Sequence, residues 1–155
     1  MDRRVEMTSS RRAREWAVQM LTAADLNPAG SPEETITAFW GQLGSLEPEY
    51  GLETSSGDAY ARKFAEQIVL GVLGSLQAID KTVSELLDGW DFLRLGTVER
   101  AVLRIGVWEI MNSRTPLPVI INESVDLVNW FSTPKSRPLV NAVLDRFAKS
   151  RAGGR

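Results

Sequence analysis

The tract from Thr97 to Ser113 constrains the fold more than any other part of the chain. Val98, Ala101, Val102, Leu103, Ile105, Val107, Trp108, Ile110 and Met111 point almost all round a helical axis. A helix that is apolar on every side has to be enclosed by other elements. Thr97 is placed to cap this central helix, and the rest of the chain supplies apolar stripes of the same period to surround it.

Ser9 or Ser10 is placed to cap a first helix, in which Ala13, Trp16, Ala17, Met20, Leu21 and Ala24 form a buried stripe that ends near Asn27-Pro28. A second, short helix has a complete start signal: Ser31 as cap, Pro32 at the first helical position, and Glu34 three residues after the cap, ahead of Ile36, Phe39 and Trp40. Gly44 to Gly57 has no period and mixes Gly, Pro, Ser and acidic residues, so a long connecting loop is expected over 42–57. A third helix aligns Phe64, Ala65, Ile68, Val69, Val72 and Leu73, with Gly74-Ser75 as a point of interruption. A fourth carries Leu76, Ile79, Val83, Leu86, Leu87 and Trp90 before Gly89 and the WDFLRLG segment end the run.

Beyond Pro116 and Pro118, Ile121, Ser124, Val125, Val128 and Phe131 share a face. Ser136 is placed to cap a last helix in which Leu139, Val140, Val143, Leu144 and Phe147 are spaced for burial. The period-two alternation of a strand is missing throughout, so the expected fold is all-α. The 155 residues, 43% of them hydrophobic, suffice for one core or two small abutting ones. One domain over 1–155 is expected, with residues 1–8 and 151–155 flexible.

The chain has no Cys and no His. Zinc sites, disulfides, Ser-His-Asp triads and Cys-His nucleophiles are therefore excluded. Asp88 and Asp91 lie among turn residues with no phosphate-cradling glycine motif beside them, so neither an enzyme nor a cofactor or metal is expected. No apolar run has the length of a signal peptide or a membrane span, which predicts a cytoplasmic protein with no membrane partner.

Net charge is −2, yet its distribution is uneven. Residues 1–14 carry five Arg against Asp2 and Glu6, and residues 135–155 carry six basic groups against Asp145, while the stretch between them is strongly acidic. Arg11, Arg12 and Arg14 fall at the predicted start of the first helix, where the dipole disfavours cations by about 0.3–1 kcal/mol each. A wheel sets Arg11 opposite the Trp16 and Met20 stripe and Arg12 and Arg14 on its flanks, so that all three reach solvent. Both a solvated helix start and an RNA-binding face fit that arrangement.

Four segments, in order, resemble the NusB family: RRAREWAVQML at Arg11–Leu21, RLGTVERAVLRIGVWEI at Arg94–Ile110, PVIINESVDLV at Pro118–Val128 and SRPLVNAVLDRFA at Ser136–Ala148. The tract FAEQIVLGVLGSLQAID lies between the first two, and only Leu26–Gly57 has nothing recognisable. The resemblance implies two stacked helical bundles of about seven helices. It implies a transcription antitermination factor whose arginine-rich first helix binds single-stranded boxA RNA of ribosomal RNA operon leaders. The partners it implies are the NusE ribosomal protein and the RNA polymerase elongation complex, and a homodimer or an accessory RNA-binding module without boxA specificity is the alternative.

By that resemblance the candidate RNA-binding residues are Arg11, Arg12, Arg14, Gln19, Phe131, Lys135, Arg137 and Leu139. Lys135 and Arg137 bracket Ser136 in the turn before the last helix, as an ordinary exposed loop or as a widening of the phosphate-binding surface. Phe131 suits the core as well as a stacked base, and Leu139 stands where relatives often carry Phe. Thr22 replaces a frequent aromatic, and Trp130 replaces a small or charged residue, packing under the 42–57 connection or enlarging a partner surface. Glu99 matches a position facing NusE, although a carboxylate in a first helical turn also suits the dipole. Arg104, Glu123 and Asp145 are expected to be partly buried, mutually paired structural groups.

Overall fold

The computed structural model describes the backbone of residues 3–50 and 56–153, and the side chains of residues 8–44 and 59–152. Among the described residues there are seven α-helices and no strand: α1 (Arg3–Leu26), α2 (Pro32–Tyr50), α3 (Ser56–Gly74), α4 (Leu76–Leu86), α5 (Thr97–Asn112), α6 (Leu117–Phe131) and α7 (Arg137–Gly153). Short 3₁₀ turns at Phe92–Arg94 and Pro134–Ser136 precede α5 and α7. The chain divides into two compact units, Met1–Leu73 and Gly74–Arg155.

In the first unit α1 buries Ala13, Ala17, Val18, Met20 and Leu21, and α3 buries Ala61, Ala65, Ile68, Val69 and Val72. Trp40 of α2 ties the three helices together. Trp16 meets it edge-on at 5.2 Å and 89°, Phe39 lies 5.1 Å away, and the indole Nε1–H donates to Glu66 Oε1 of α3 at 2.7 Å. Aromatic pairs of this kind contribute about 0.5–1.5 kcal/mol beyond their buried area. The start of α2 is as its sequence indicates, with the Glu34 N–H donating to Ser31 Oγ at 3.1 Å and Pro32 in the first helical position.

Three boundaries differ from the sequence reading. First, α1 begins at Arg3, so Ser9, 6% exposed, lies inside the helix instead of capping it, and 3–8 is helical rather than a loose end. Second, α2 is not short: it runs on to Tyr50 through Gly41 and Gly44, into the span expected to be the 42–57 connection, of which 51–55 lie outside the described residues. Once a helix is nucleated each further residue adds a hydrogen bond, so isolated poor helix formers need not stop it. Third, α7 continues to Gly153, past the expected fraying point at Arg151, while 154–155 lie outside the described residues.

In the second unit α5 packs against α4, α6 and α7, and every residue from Ala101 to Val107 is buried. Gly106 permits the approach of α7, since a Cβ there would lie 2.7 Å from Leu144 Cδ2. The helix starts after Gly96 with no side-chain cap, so Thr97 is its first residue and not its cap. Likewise α4 ends at Leu86, and Trp90 falls outside its buried stripe, 61% exposed.

Arg104 is the buried cation of this unit. Its guanidinium grips Asp80 of α4 through Nε at 2.8 Å and Nη2 at 2.9 Å, and lies 5.4 Å over the Phe92 ring. The bidentate partner is thus Asp80, and Asp145 pairs instead with Lys149 at 2.9 Å one turn along α7. That corrects the expected pairing of Arg104 with Asp145, and the reason is that α4, not α7, faces this side of α5. Arg104→Ala strands the Asp80 carboxylate and is expected to lower stability by about 3–5 kcal/mol. Thermal unfolding checks this, and an unchanged melting temperature would contradict it.

Candidate nucleic-acid interface

With α1 beginning at Arg3, Arg11, Arg12 and Arg14 sit in its middle turns. The helix dipole acts within the first turn, so the cost expected for these cations does not arise. Arg11 and Arg12 are exposed, and the Arg12 guanidinium lies 5.9 Å over Trp16, one ring of the aromatic node. Arg14 is different: it is 3% exposed, with its guanidinium 5.4 Å over the Phe64 ring of α3. The expectation that all three arginines reach solvent is therefore corrected for Arg14, because α3 covers that flank of α1. Gln19 is exposed on α1, its amide donating to the Glu15 carbonyl at 3.4 Å, and the Thr22 hydroxyl donates to the Gln19 carbonyl at 2.8 Å.

Sequence reasoning passed over Arg62. On α3 its guanidinium lies 4.9 Å over the other partner of the node, Trp40. Arg62-Lys63 looks by spacing like any solvated basic pair, and only the placement of Trp40 distinguishes it.

In the second unit the other candidates cluster about the turn between α6 and α7. Phe131 closes α6 and is half-buried, Lys135 and Arg137 are exposed, and Leu139 is half-buried in the first turn of α7. Thr133 Oγ1 accepts from the Lys135 N–H at 3.3 Å, and the Ser136 N–H donates to the Thr133 carbonyl at 3.1 Å, which folds the turn tightly. The Arg137 Nε–H donates to the Pro134 carbonyl at 3.4 Å. Trp130 is 78% exposed, and most of the 42–57 connection under which it is expected to pack lies outside the residues whose side chains are described.

Glu99 anchors this turn. It is 7% exposed, and its Oε1 accepts from the hydroxyls of both Ser132 and, at 2.8 Å, Ser136. The Ser136 hydroxyl is thereby used on Glu99 and not as the cap of α7. Glu99 also points inward, which corrects its expected place on a partner-facing surface: two hydroxyls on one turn give a buried carboxylate what water otherwise would. Gly96 leaves room for it, since a Cβ there would collide with Glu99 Oε2. Burial raises the Glu99 pKa, but the hydrogen bonds from Ser132, its own backbone and Ser136, with the nearby Arg100 charge, together outweigh it and hold the group below its ordinary value.

These features define an all-helical protein that displays arginines from its first helix and a braced basic turn before its last. A family model described as the NusB family matches residues 11–149, and the chain belongs to that family. It is 33% identical over 138 residues to the transcription antitermination protein NusB of Sorangium cellulosum, spanning 88% of this chain and 89% of that one. With the NusB of Clavibacter sepedonicus it shares 35% over 147 residues, 94% of this chain and all of the relative. A crystal structure of the antitermination factors NusB and NusE in complex with double-stranded RNA superposes with a TM-score of 0.72 at 27% identity, over 93% of this chain and 98% of that one.

The depressed Glu99 pKa gives a pH prediction. A carboxyl with a lowered folded-state pKa stabilises the fold above its unfolded value, about 4.3, and the contribution fades as pH falls through the lower folded value. Glu99→Gln is therefore expected to melt below the parent at pH 7, and the gap is expected to narrow below about pH 4. Paired melting curves across that range check it, and a gap independent of pH would show that the charge contributes nothing.

Proposed function

We propose that this chain is an RNA-binding transcription antitermination factor. It binds single-stranded boxA RNA of ribosomal RNA operon leaders together with the NusE ribosomal protein, and the pair joins the RNA polymerase elongation complex. The observation that carries this reading is the exposure of Arg11 and Arg12 on α1 in a member of a family whose solved structures include a complex with NusE and RNA.

Arg11 and Arg12 meet phosphates or stack on unpaired bases, with Gln19 further along the same helix as a hydrogen-bonding group. Lys135 and Arg137 supply further phosphate contacts from the braced turn, and Phe131 and Leu139 border that turn. Arg14 acts at one remove, holding α1 against Phe64. The acidic centre of the sequence favours encounter with a basic ribosomal protein, which affects association rate more than affinity.

Salt dependence tests the reading. A labelled boxA-type oligonucleotide, titrated by anisotropy with and without NusE, is expected to bind with a slope of log K on log salt that falls by about 0.7 for each phosphate contact removed. Arg11→Gln with Arg12→Gln is expected to lower the slope at an unchanged melting temperature. Arg14→Gln is expected to lower the melting temperature first. A slope untouched by the double substitution would remove α1 from the RNA site.

A further inference from the structure

In the second unit a groove of about 390 Å³ runs between the segment following α4 and the first turns of α7. Pro138 and Leu139 contribute apolar surface, Trp90 stands on one side, and Lys135, Arg146 and Asp88 supply charge. Its size is that of a site for a small planar group, such sites running from about 300 to 1,000 Å³. Trp90 is 61% exposed, so packing does not account for a large ring at this position.

Arg146 is fixed at the groove by a hydrogen bond from Nη1 to the Leu86 carbonyl at 3.0 Å. Its other nitrogen lies 3.9 Å from Asp88, whose side chain is 86% exposed. A pair so long and so open to water is weak and readily exchanged for a phosphate. Lys135 brings a second exposed cation, and residues 135–155 carry six basic groups against one acidic. A flat exposed ring beside an apolar floor, with cations at the edges and a surplus of positive charge along the helix, is how single-strand binders hold a base and its neighbouring phosphates. An acidic peptide would use the cations but has no need of the ring.

We propose that this groove is a nucleobase subsite for single-stranded RNA. One base stacks on Trp90 over Pro138 and Leu139, and the flanking phosphates are held by Lys135 and Arg146. The inference rests on the RNA-binding reading above and extends the bound strand beyond the turn to Trp90.

Trp90→Ala tests it, with Trp90→Phe and Arg146→Gln beside it, in anisotropy titrations of a short labelled single-stranded boxA-type RNA with saturating NusE. Because Trp90 is exposed, the melting temperature is expected to hold. Trp90→Ala is expected to weaken binding roughly 5- to 150-fold at an unchanged salt slope, as loss of one stacked base does. Trp90→Phe is expected to keep most of the affinity, and Arg146→Gln to lower the slope by about 0.7. If the parent binds and responds to the Arg11 and Arg12 substitutions while Trp90→Ala binds equally well, the subsite is overturned and the RNA reading stands. If the parent binds no single-stranded RNA, both fall. If Trp90→Ala keeps its RNA affinity but loses NusE, the groove is a protein-docking surface and the inference is overturned.

Discussion

Two ionised side chains on one enclosed helix organise the second unit, and each is tolerated there because another helix answers it. Arg104 is matched by the Asp80 fork from α4, and Glu99 by hydroxyls from the turn between α6 and α7. An uncompensated charge at such depth is costly, so each tie allows few alternative placements of its partner element. Apolar burial alone would let α4 and the turn slide along α5, because the hydrophobic effect is proportional to area and has no direction. The polar ties fix the register, and through Glu99 they fix the backbone that presents Lys135 and Arg137.

The helical period was legible wherever an apolar stripe faced a core. The enclosed stretch of α5, the interruption at Gly74-Ser75, the end of α1 at Leu26 and the Ser31-Pro32-Glu34 start of α2 all follow from local rules that burial reinforces. What misled was inferring a helix start from a single polar residue. Ser9, Thr97 and Ser136 each have the chemistry of a cap. Ser9 lies inside a helix that began earlier, the cap position at α5 is taken by Gly96, and the Ser136 hydroxyl is drawn to Glu99. A side-chain oxygen serves whichever donor or acceptor the tertiary structure brings nearest, and sequence spacing cannot rank a neighbour one residue away against a carboxylate from another helix.

The candidate site was legible to the same degree and for the same reason. Periodicity places Arg11 opposite the buried stripe and Arg12 on one flank of it, and both are exposed. Arg14 sits on the other flank, where the outcome depends on whether a neighbour covers it, and α3 does so with Phe64. Arg62 and Trp90 were illegible for the converse reason. One gains meaning only from the indole it lies over, and the other looked like the last member of a buried stripe until the helix ended before it. Arg62 over Trp40 is a contact between elements distant in sequence, and Trp90 meets α7 only across a groove; no period within one helix can report either.

An acidic protein can still hold a polyanion when its cations are segregated. Screening limits an exposed charge to a reach of about 8–10 Å at ordinary salt, so a phosphate at a basic surface responds to its immediate neighbours more than to a net charge of −2. The two ends of the sequence carry the basic surplus and the middle the acidic one. Two of the arginines in the first unit lie over the tryptophans of its aromatic node. The Arg12 guanidinium lies over Trp16 and that of Arg62 over Trp40, so a ring face helps to hold each. A ring face steadies a cation, so less side-chain freedom remains to be lost on binding an anion.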